Sequence, residues 1–195
     1  LRGVSHQVAF VASLVAGAAL VANAQTSRAT VAAVVFAATV AGMFGASALY
    51  HRVHWGPRAK RWMRRVDHAG IYLVIGGSYT PYTLIVLSGA TQIAVLALVW
   101  AGVAAAIAIR FAGVTAPRWL SAGLGLGLGW VCLIALPQLI ERVEPAGLVL
   151  LGIGGLLYTA GGIVYGLRWP DPAPAVFGFH EVFHLLVVAA VACQY

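Results

Sequence analysis

The sequence predicts an all-α integral membrane protein, a bundle of seven transmembrane helices. Of its 195 residues, 62% are hydrophobic and only 9% are charged, an apolar share that a soluble domain of this size could not bury. The apolar stretches are long and do not alternate with polar residues as the strands of a membrane barrel do. We therefore expect one multi-pass domain in the cell's inner (plasma) membrane, in contact with membrane lipids.

Seven apolar stretches mark the expected spans. Each is close to the ~20 residues that a helix needs to cross a ~30 Å hydrocarbon core. The spans cover 4–23, 30–52, 66–88, 91–110, 117–137, 146–167 and 177–195. The connections between them are short, so consecutive helices should be antiparallel neighbours, and no separate soluble domain fits.

The first span is too long for the hydrophobic region of a signal peptide and lacks a convincing cleavage site, so we expect it to be retained. Because the numbering begins at Leu1 rather than at a methionine, we expect the natural N-terminus to lie upstream. In the third span, Pro81 predicts a bend, with Ser78 or Thr80 able to satisfy freed backbone groups.

The fifth span carries glycine at the alternating positions 123, 125, 127 and 129. A nucleotide-binding fingerprint would need a preceding strand, and the run lies inside a span. Small residues that let helices approach closely are the better interpretation.

The distribution of Lys and Arg predicts the orientation, since cytoplasmic loops carry the excess of basic residues. Only Arg28 and Arg142 lie on one side, whereas the other side holds the N-terminus and the second, fourth and sixth loops. The residues of that other side are Arg2, Arg52, Arg58, Lys60, Arg61, Arg64, Arg65, Arg110, Arg118 and Arg168. The N-terminus is therefore predicted to be cytoplasmic and the C-terminus outside. The same rule explains the net charge of +7 without a nucleic-acid partner.

Several polar residues of different spans are predicted to lie at the same depth in the membrane. His180 and His184 are four residues apart at the start of the seventh span, so their side chains lie on one helix face. The predicted topology places Ser47, His51 and Asp67 at the same cytoplasmic end, within about 10 Å of one membrane face at 1.5 Å per residue. Ionisable residues inside a span are costly and mark functional sites by default.

This pattern predicts a zinc site. Three histidines, His51, His180 and His184, would leave one tetrahedral position for water, whose pKa zinc lowers to about 7. Asp67 could hydrogen-bond that water as a general base, and Ser47 could orient His51 or bond the water. The alternatives for single residues are a packed histidine, an aspartate that starts a helix, and a serine bonded to its own backbone.

Other histidines and Glu181 are interpreted differently. His68 points about 100° away from Asp67, so it is expected outside the ligand set. His6 and His54 are expected to be interfacial and solvated. The string from His180 to His184 also fits HExxH, in which Glu181 would be a protease base, but the motif is short and Glu181 could instead pair with a basic group.

The ordered series of motifs resembles the haemolysin III proteins, the bacterial branch of the progestin and adipoQ receptor family. The likeness covers nearly the whole chain and rests on four segments. They are Ser47-Ala48-Leu49-Tyr50-His51, Asp67-His68, Gly77-Ser78-Tyr79-Thr80-Pro81 and the closing pair His180 and His184.

The resemblance implies a seven-helix fold with the N-terminus inside and zinc held near the cytoplasmic face. The implied ligands are His51, His180 and His184, with Asp67 on the zinc water and Ser47 in support. Glu181 departs from the pattern, which expects an apolar or small residue there.

Three functions follow from these expectations. The wider superfamily includes alkaline ceramidases, which suggests a zinc-dependent hydrolase of a lipid-like amide or ester. A receptor-like or regulatory protein with a structural zinc is the second hypothesis. A pore or transporter is the third, although no chain of polar groups continues outward from the site.

Overall fold

The computed structural model describes residues 2–113 and 117–195, which form eight α-helices. They are α1 (Val4–Ala22), α2 (Ser27–Arg52), α3 (Pro57–Pro81), α4 (Gly89–Phe111), α5 (Arg118–Gly129), α6 (Cys132–Arg142), α7 (Pro145–Leu167) and α8 (Phe179–Ala192). With α5 and α6 taken as one crossing, six helices of the described ranges are long and apolar enough to span a membrane. The shorter α8, of 14 residues, is also apolar. The protein is a multi-pass membrane helix bundle, as predicted.

The third helix starts earlier than the apolar pattern indicates. α3 begins at Pro57, nine residues before the predicted start at 66, because proline is favoured in the first helical turn and the following basic residues are good helix formers. The sequence pattern predicted that Asp67 and His68 lie at the start of the third helix. In the structure they lie about three turns inside it. The hydropathy pattern identifies only the part of a helix that lies in the hydrocarbon layer, and α3 extends beyond that part.

α3 continues through Pro81 and widens into a π-helical turn over Tyr82–Val86. The Thr83 hydroxyl donates a hydrogen bond to the carbonyl of Tyr79, 3.0 Å away. The predicted disturbance at the proline thus takes the form of a local change in helical pitch. Of the two predicted partners, Thr80 donates a hydrogen bond to the carbonyl of Gly76 at 2.8 Å, whereas the hydroxyl of Ser78 makes none.

The fifth predicted span is two helices, α5 and α6, separated at Trp130 and Val131. Tyr79 of α3 reaches the break. Its hydroxyl accepts a hydrogen bond from the backbone N–H of Cys132, at 2.7 Å, and donates one to the carbonyl of Gly129. Backbone polar groups inside a membrane need partners from the protein, and this side chain supplies them.

The glycines of α5 do not mediate close helix contacts, contrary to the prediction. No heavy atom lies within 4 Å of the position that a Cβ would take at Gly123, Gly127 or Gly129. Close approach involves the leucines between them instead: the side chain of Leu126 packs 3.0 Å from the Cβ position of Gly162 in α7.

Two apolar cores organise the bundle. The first core joins α1, α2, α3, α7 and α8, and the second joins α3 with α4 and α6. The first comprises Ala9, Phe36, Val40, Met43, Phe44, Val74, Val164, Phe183, Val187 and Val191. The second comprises Tyr72, Leu87, Val95, Val99, Val103, Ala106, Ala135 and Leu139. Many other large apolar side chains face outward, as expected for helices surrounded by lipid.

Candidate metal centre

Three imidazoles converge at one end of the first core. His51 lies one residue before the end of α2, and His180 and His184 lie one turn apart at the start of α8. The Nε2 atoms of His51 and His180 are 3.1 Å apart. One ligand nitrogen from each ring lies within 4.8 Å of the others, so the three can hold a metal ion.

Packing explains why these histidines meet although 129 residues separate His51 from His180. Phe44 of α2 and Phe183 of α8 belong to the same apolar core. His184 is four residues after His180 and therefore presents its ring on the same face of α8. The ring centroids of His180 and His184 are 4.5 Å apart, and those of His51 and His184 are 5.1 Å apart.

Asp67 lies beside this cluster and is itself buried, with 8% of its surface exposed. Its Oδ2 atom is 3.3 Å from Nδ1 of His68. Nε2 of His68 is in turn 3.3 Å from the hydroxyl of Tyr165 on α7. His68 thus stays outside the three-imidazole group, as the sequence predicted, but the sequence did not reveal that it pairs with Asp67.

Ser47 lies one turn before His51 and is almost fully buried, with 1% of its surface exposed. Its hydroxyl makes no hydrogen bond, so it does not bond its own helix backbone. Ser47 and Asp67 line the same small cavity. The serine therefore lies next to the imidazole cluster, with the Asp67 carboxylate as its polar neighbour.

Glu181 contacts the backbone at the start of α8 and a basic side chain near the N-terminus. Its Oε2 accepts a hydrogen bond from the backbone N–H of Gly178 at 2.9 Å, and its Oε1 is 3.4 Å from Nε of Arg2. This carboxylate caps the N-terminus of α8, where negative charge is favoured by the helix dipole. These contacts favour the interpretation in which Glu181 pairs with a basic group over the one in which it acts as a protease base.

The prediction that His6 is solvated is wrong. His54 is exposed, as predicted, but His6 is not solvated: only 3% of its surface is exposed. Its ring stacks on that of His184, with centroids 3.8 Å apart and planes 8° apart. The position of His6 near the start of α1 gave no sign of this contact, which depends on how α1 packs against α8.

Two neighbouring cavities adjoin the cluster. The smaller, of about 20 Å³, is lined by His6, Ser47, Asp67, His68, His180 and His184 together with five other residues. The larger, of about 400 Å³, extends between α3, α5, α6, α7 and α8 and is almost entirely apolar. Both are bordered by His68, Tyr165 and Phe183. The larger volume falls in the usual range of small-molecule sites.

The donor set fits a transition metal. Imidazole nitrogens suit zinc, copper, iron and nickel, whereas calcium and magnesium prefer oxygen ligands. Nδ1 of His184 is buried without a hydrogen bond, whereas Nε2 of His51 and Nε2 of His180 are within hydrogen-bonding distance of each other. A bound metal ion would use the lone pairs that face one another.

Comparison with known proteins supports one family. The family described as "Haemolysin-III related" matches residues 1–195. "Hemolysin-3" of Bacillus cereus is 29% identical over 197 residues, which span 100% of this chain and 87% of that protein. "Hemolysin-3 homolog" of Bacillus subtilis (strain 168) is 29% identical over 161 residues, which span 83% of this chain and 72% of that protein.

Proposed function

The chain belongs to the haemolysin III family, and we propose that it is a zinc-dependent hydrolase of a lipid-like amide or ester within the membrane. The observation that supports this most directly is the adjacency of three imidazoles, a buried aspartate and a large apolar cavity. Hydrolysis of a lipid needs a polar reacting centre beside room for an acyl chain, and these two parts lie side by side.

His51, His180 and His184 would hold the ion. When bound, zinc would supply Lewis acidity, polarising a carbonyl oxygen and lowering the pKa of water towards 7. Three neutral nitrogen ligands without a carboxylate leave the ion's positive charge undiminished. Their position on α2 and α8 keeps them at fixed spacing because both helices are part of the first core.

Asp67 would take the proton from the attacking water and pass it to the leaving nitrogen or oxygen as the acyl bond breaks. Nδ1 of His68 is 3.3 Å from the carboxylate, and Nε2 of His68 is 3.3 Å from the hydroxyl of Tyr165. The hydroxyl of Ser47 lines the same cavity. His68 and Ser47 would orient the Asp67 carboxylate towards the cluster.

The large cavity favours a lipid-like substrate over a water-soluble one. Its wall is formed by leucine, isoleucine and aromatic side chains, and several of its lining residues, including Leu133 and Leu156, are also exposed on the outer surface that faces lipid. An acyl chain could occupy this volume while its carbonyl lies near His68 and Tyr165.

The test is a combined measurement of metal content and turnover on protein purified in detergent. The unchanged protein should contain about one zinc ion per chain and hydrolyse at least one member of a panel of lipid amides and esters. Asp67→Ala should retain the zinc and lose about 10²- to 10⁴-fold in turnover, the usual contribution of a general base. His54→Ala, which changes an exposed histidine, is the control. Absence of hydrolysis across the panel would contradict the proposal.

A structural metal is the second candidate, since the imidazoles join α2 to α8, two helices that are far apart in the sequence. A clamp of this kind would lower the unfolding temperature when the metal is removed, and its fourth ligand would come from the protein. Chelation that leaves the unfolding temperature unchanged but abolishes turnover would favour the hydrolase.

A further inference from the structure

His6 is the one histidine of the buried cluster that the proposed zinc site does not use. It lies in the first turn of α1 and contributes to the wall of the small cavity. Neither ring nitrogen makes a hydrogen bond. The backbone of His184 lies beside the ring, but not in hydrogen-bonding geometry. Buried polar atoms are nearly always paired, so unpaired ones require an explanation.

The start of the chain is packed tightly against the site. Gly3 adopts a left-handed backbone conformation, and a Cβ there would lie 2.7 Å from the Cβ of His51. Arg2 pairs with Glu181, and the His6 ring stacks on His184. These contacts, one to α2 and two to α8, hold His6 in place from outside the three-imidazole group.

The cavity itself is large enough for one small ligand. Its volume of about 20 Å³ exceeds the ~10–15 Å³ that a water molecule requires. Its wall includes His6, whose two ring nitrogens make no hydrogen bond, and Ser47, whose hydroxyl has no partner other than the neighbouring carboxylate of Asp67. A polar ligand bound there would give the His6 ring a hydrogen-bonding partner.

We propose that His6 is a ligand-binding residue of this cavity, and that its ring nitrogen hydrogen-bonds the small polar ligand held beside the three imidazoles. The inference rests on the metal site proposed above and adds a fourth histidine to it. The ligand is a water or a carbonyl oxygen of the substrate, both of which accept a hydrogen bond from an imidazole N–H.

His6 is not proposed as a metal ligand. Its ring is nearly parallel to that of His184 and stacked above it, whereas His51 and His180 approach His184 at angles of 64° and 53°. His6 also lies outside the group whose ligand atoms are within 4.8 Å of one another.

The experiment uses the purified protein loaded with Co²⁺, with azide as the probe. Azide binding to the cobalt is followed by visible absorption, which needs no substrate. His6→Phe keeps a flat ring that can stack on His184 but removes both nitrogens. His6→Gln keeps an N–H donor. His54→Phe is the matched control, since it makes the same change at an exposed histidine.

We expect His6→Phe to retain about one cobalt per chain and to weaken azide binding by about ten-fold or more, as loss of a hydrogen bond to an anion does. His6→Gln should remain within about three-fold of the unchanged protein, and His54→Phe should not differ from it. If His6→Phe does not fold, the azide affinities of His6→Leu and His6→Gln are compared instead.

Two results overturn the role of His6 alone: equal azide affinity in His6→Phe and the unchanged protein, or loss of cobalt from a folded His6→Phe protein, which would make His6 a metal ligand. Failure of the unchanged protein to bind cobalt at all would overturn the metal site together with this inference.

Discussion

The first core and the α5–α6 region represent two different uses of a transmembrane helix. In the first core, Phe36, Val40 and Met43 have at most 2% of their surface exposed, and the imidazoles stand at its end. In α5 and α6 the crossing is broken, and only Ser121, Ala135 and Leu139 are buried. Residues that bind a ligand need fixed positions, and the packed first core supplies these. A cavity needs space, which the loosely packed α5–α6 region supplies.

The largest expected effect tests whether the packed region holds a metal. His184→Ala removes a ring that is 2% exposed and contacts His6, His51 and His180. We expect metal affinity to fall by about 10³-fold, because a metal bound by few protein ligands depends strongly on each of them. Metal analysis after dialysis measures this, with His54→Ala as the control. Full retention of metal would remove His184 from the site.

The next effect compares the stability of the two regions. Phe36→Ala should lower the free energy of unfolding by about 3–5 kcal/mol, because it opens a void in a close-packed core. Leu136 lies on the wall of the large cavity and is already 42% exposed. Leu136→Ala should therefore lower the free energy of unfolding by less than about 1 kcal/mol. Unfolding in detergent measures both. Equal losses would mean that the difference in packing does not produce a difference in stability.

A pair of glycines sharpens the comparison. At Gly77 of α3, a Cβ would lie 2.8 Å from the Cβ of Thr39, so Gly77→Ala forces helices apart and should destabilise by about 1–3 kcal/mol. At Gly125 of α5, the nearest atom is 3.9 Å away, and Gly125→Ala should be neutral or stabilising by up to about 1 kcal/mol, since alanine favours the helix. Unfolding midpoints of the two variants compare them directly, and a reversed order would contradict the described packing.

The smallest effect concerns Glu181. Glu181→Gln loses the ion pair with the exposed Arg2 but can still accept the hydrogen bond from Gly178. We expect less than about 1 kcal/mol of lost stability, with metal content unchanged and turnover within about two-fold. Metal analysis and turnover on the same preparation check this. A large loss of turnover with the metal retained would restore Glu181 as a catalytic carboxylate.

Most of the architecture could be predicted from hydropathy, since a span must be long and apolar to cross the hydrocarbon layer. The spacing of His180 and His184 placed both on one face, and the shared depth of His51 indicated their meeting. Helix ends were less predictable: the part of α3 that precedes residue 66 is polar, and the break between α5 and α6 depends on Tyr79, a residue of another helix.

The contacts that surround the site could not be predicted, because they arise between elements. The stacking of His6 on His184 depends on the packing of α1 against α8. The pairing of His68 with Asp67 depends on a side-chain rotamer, because the two residues are neighbours whose Cα–Cβ bonds diverge on the helix. Glu181 fitted a catalytic motif, and only its contacts with Gly178 and Arg2 reveal a capping role.

The hydroxyl of Tyr79 has a consequence for the order in which the bundle assembles. Before α3 is in place, the interrupted backbone at Gly129 and Cys132 would meet only hydrocarbon, where an unpaired carbonyl or amide is costly. The fifth crossing should therefore enter the bilayer as a continuous helix and acquire its bend only on docking. The wall of the large cavity then becomes a late product of folding.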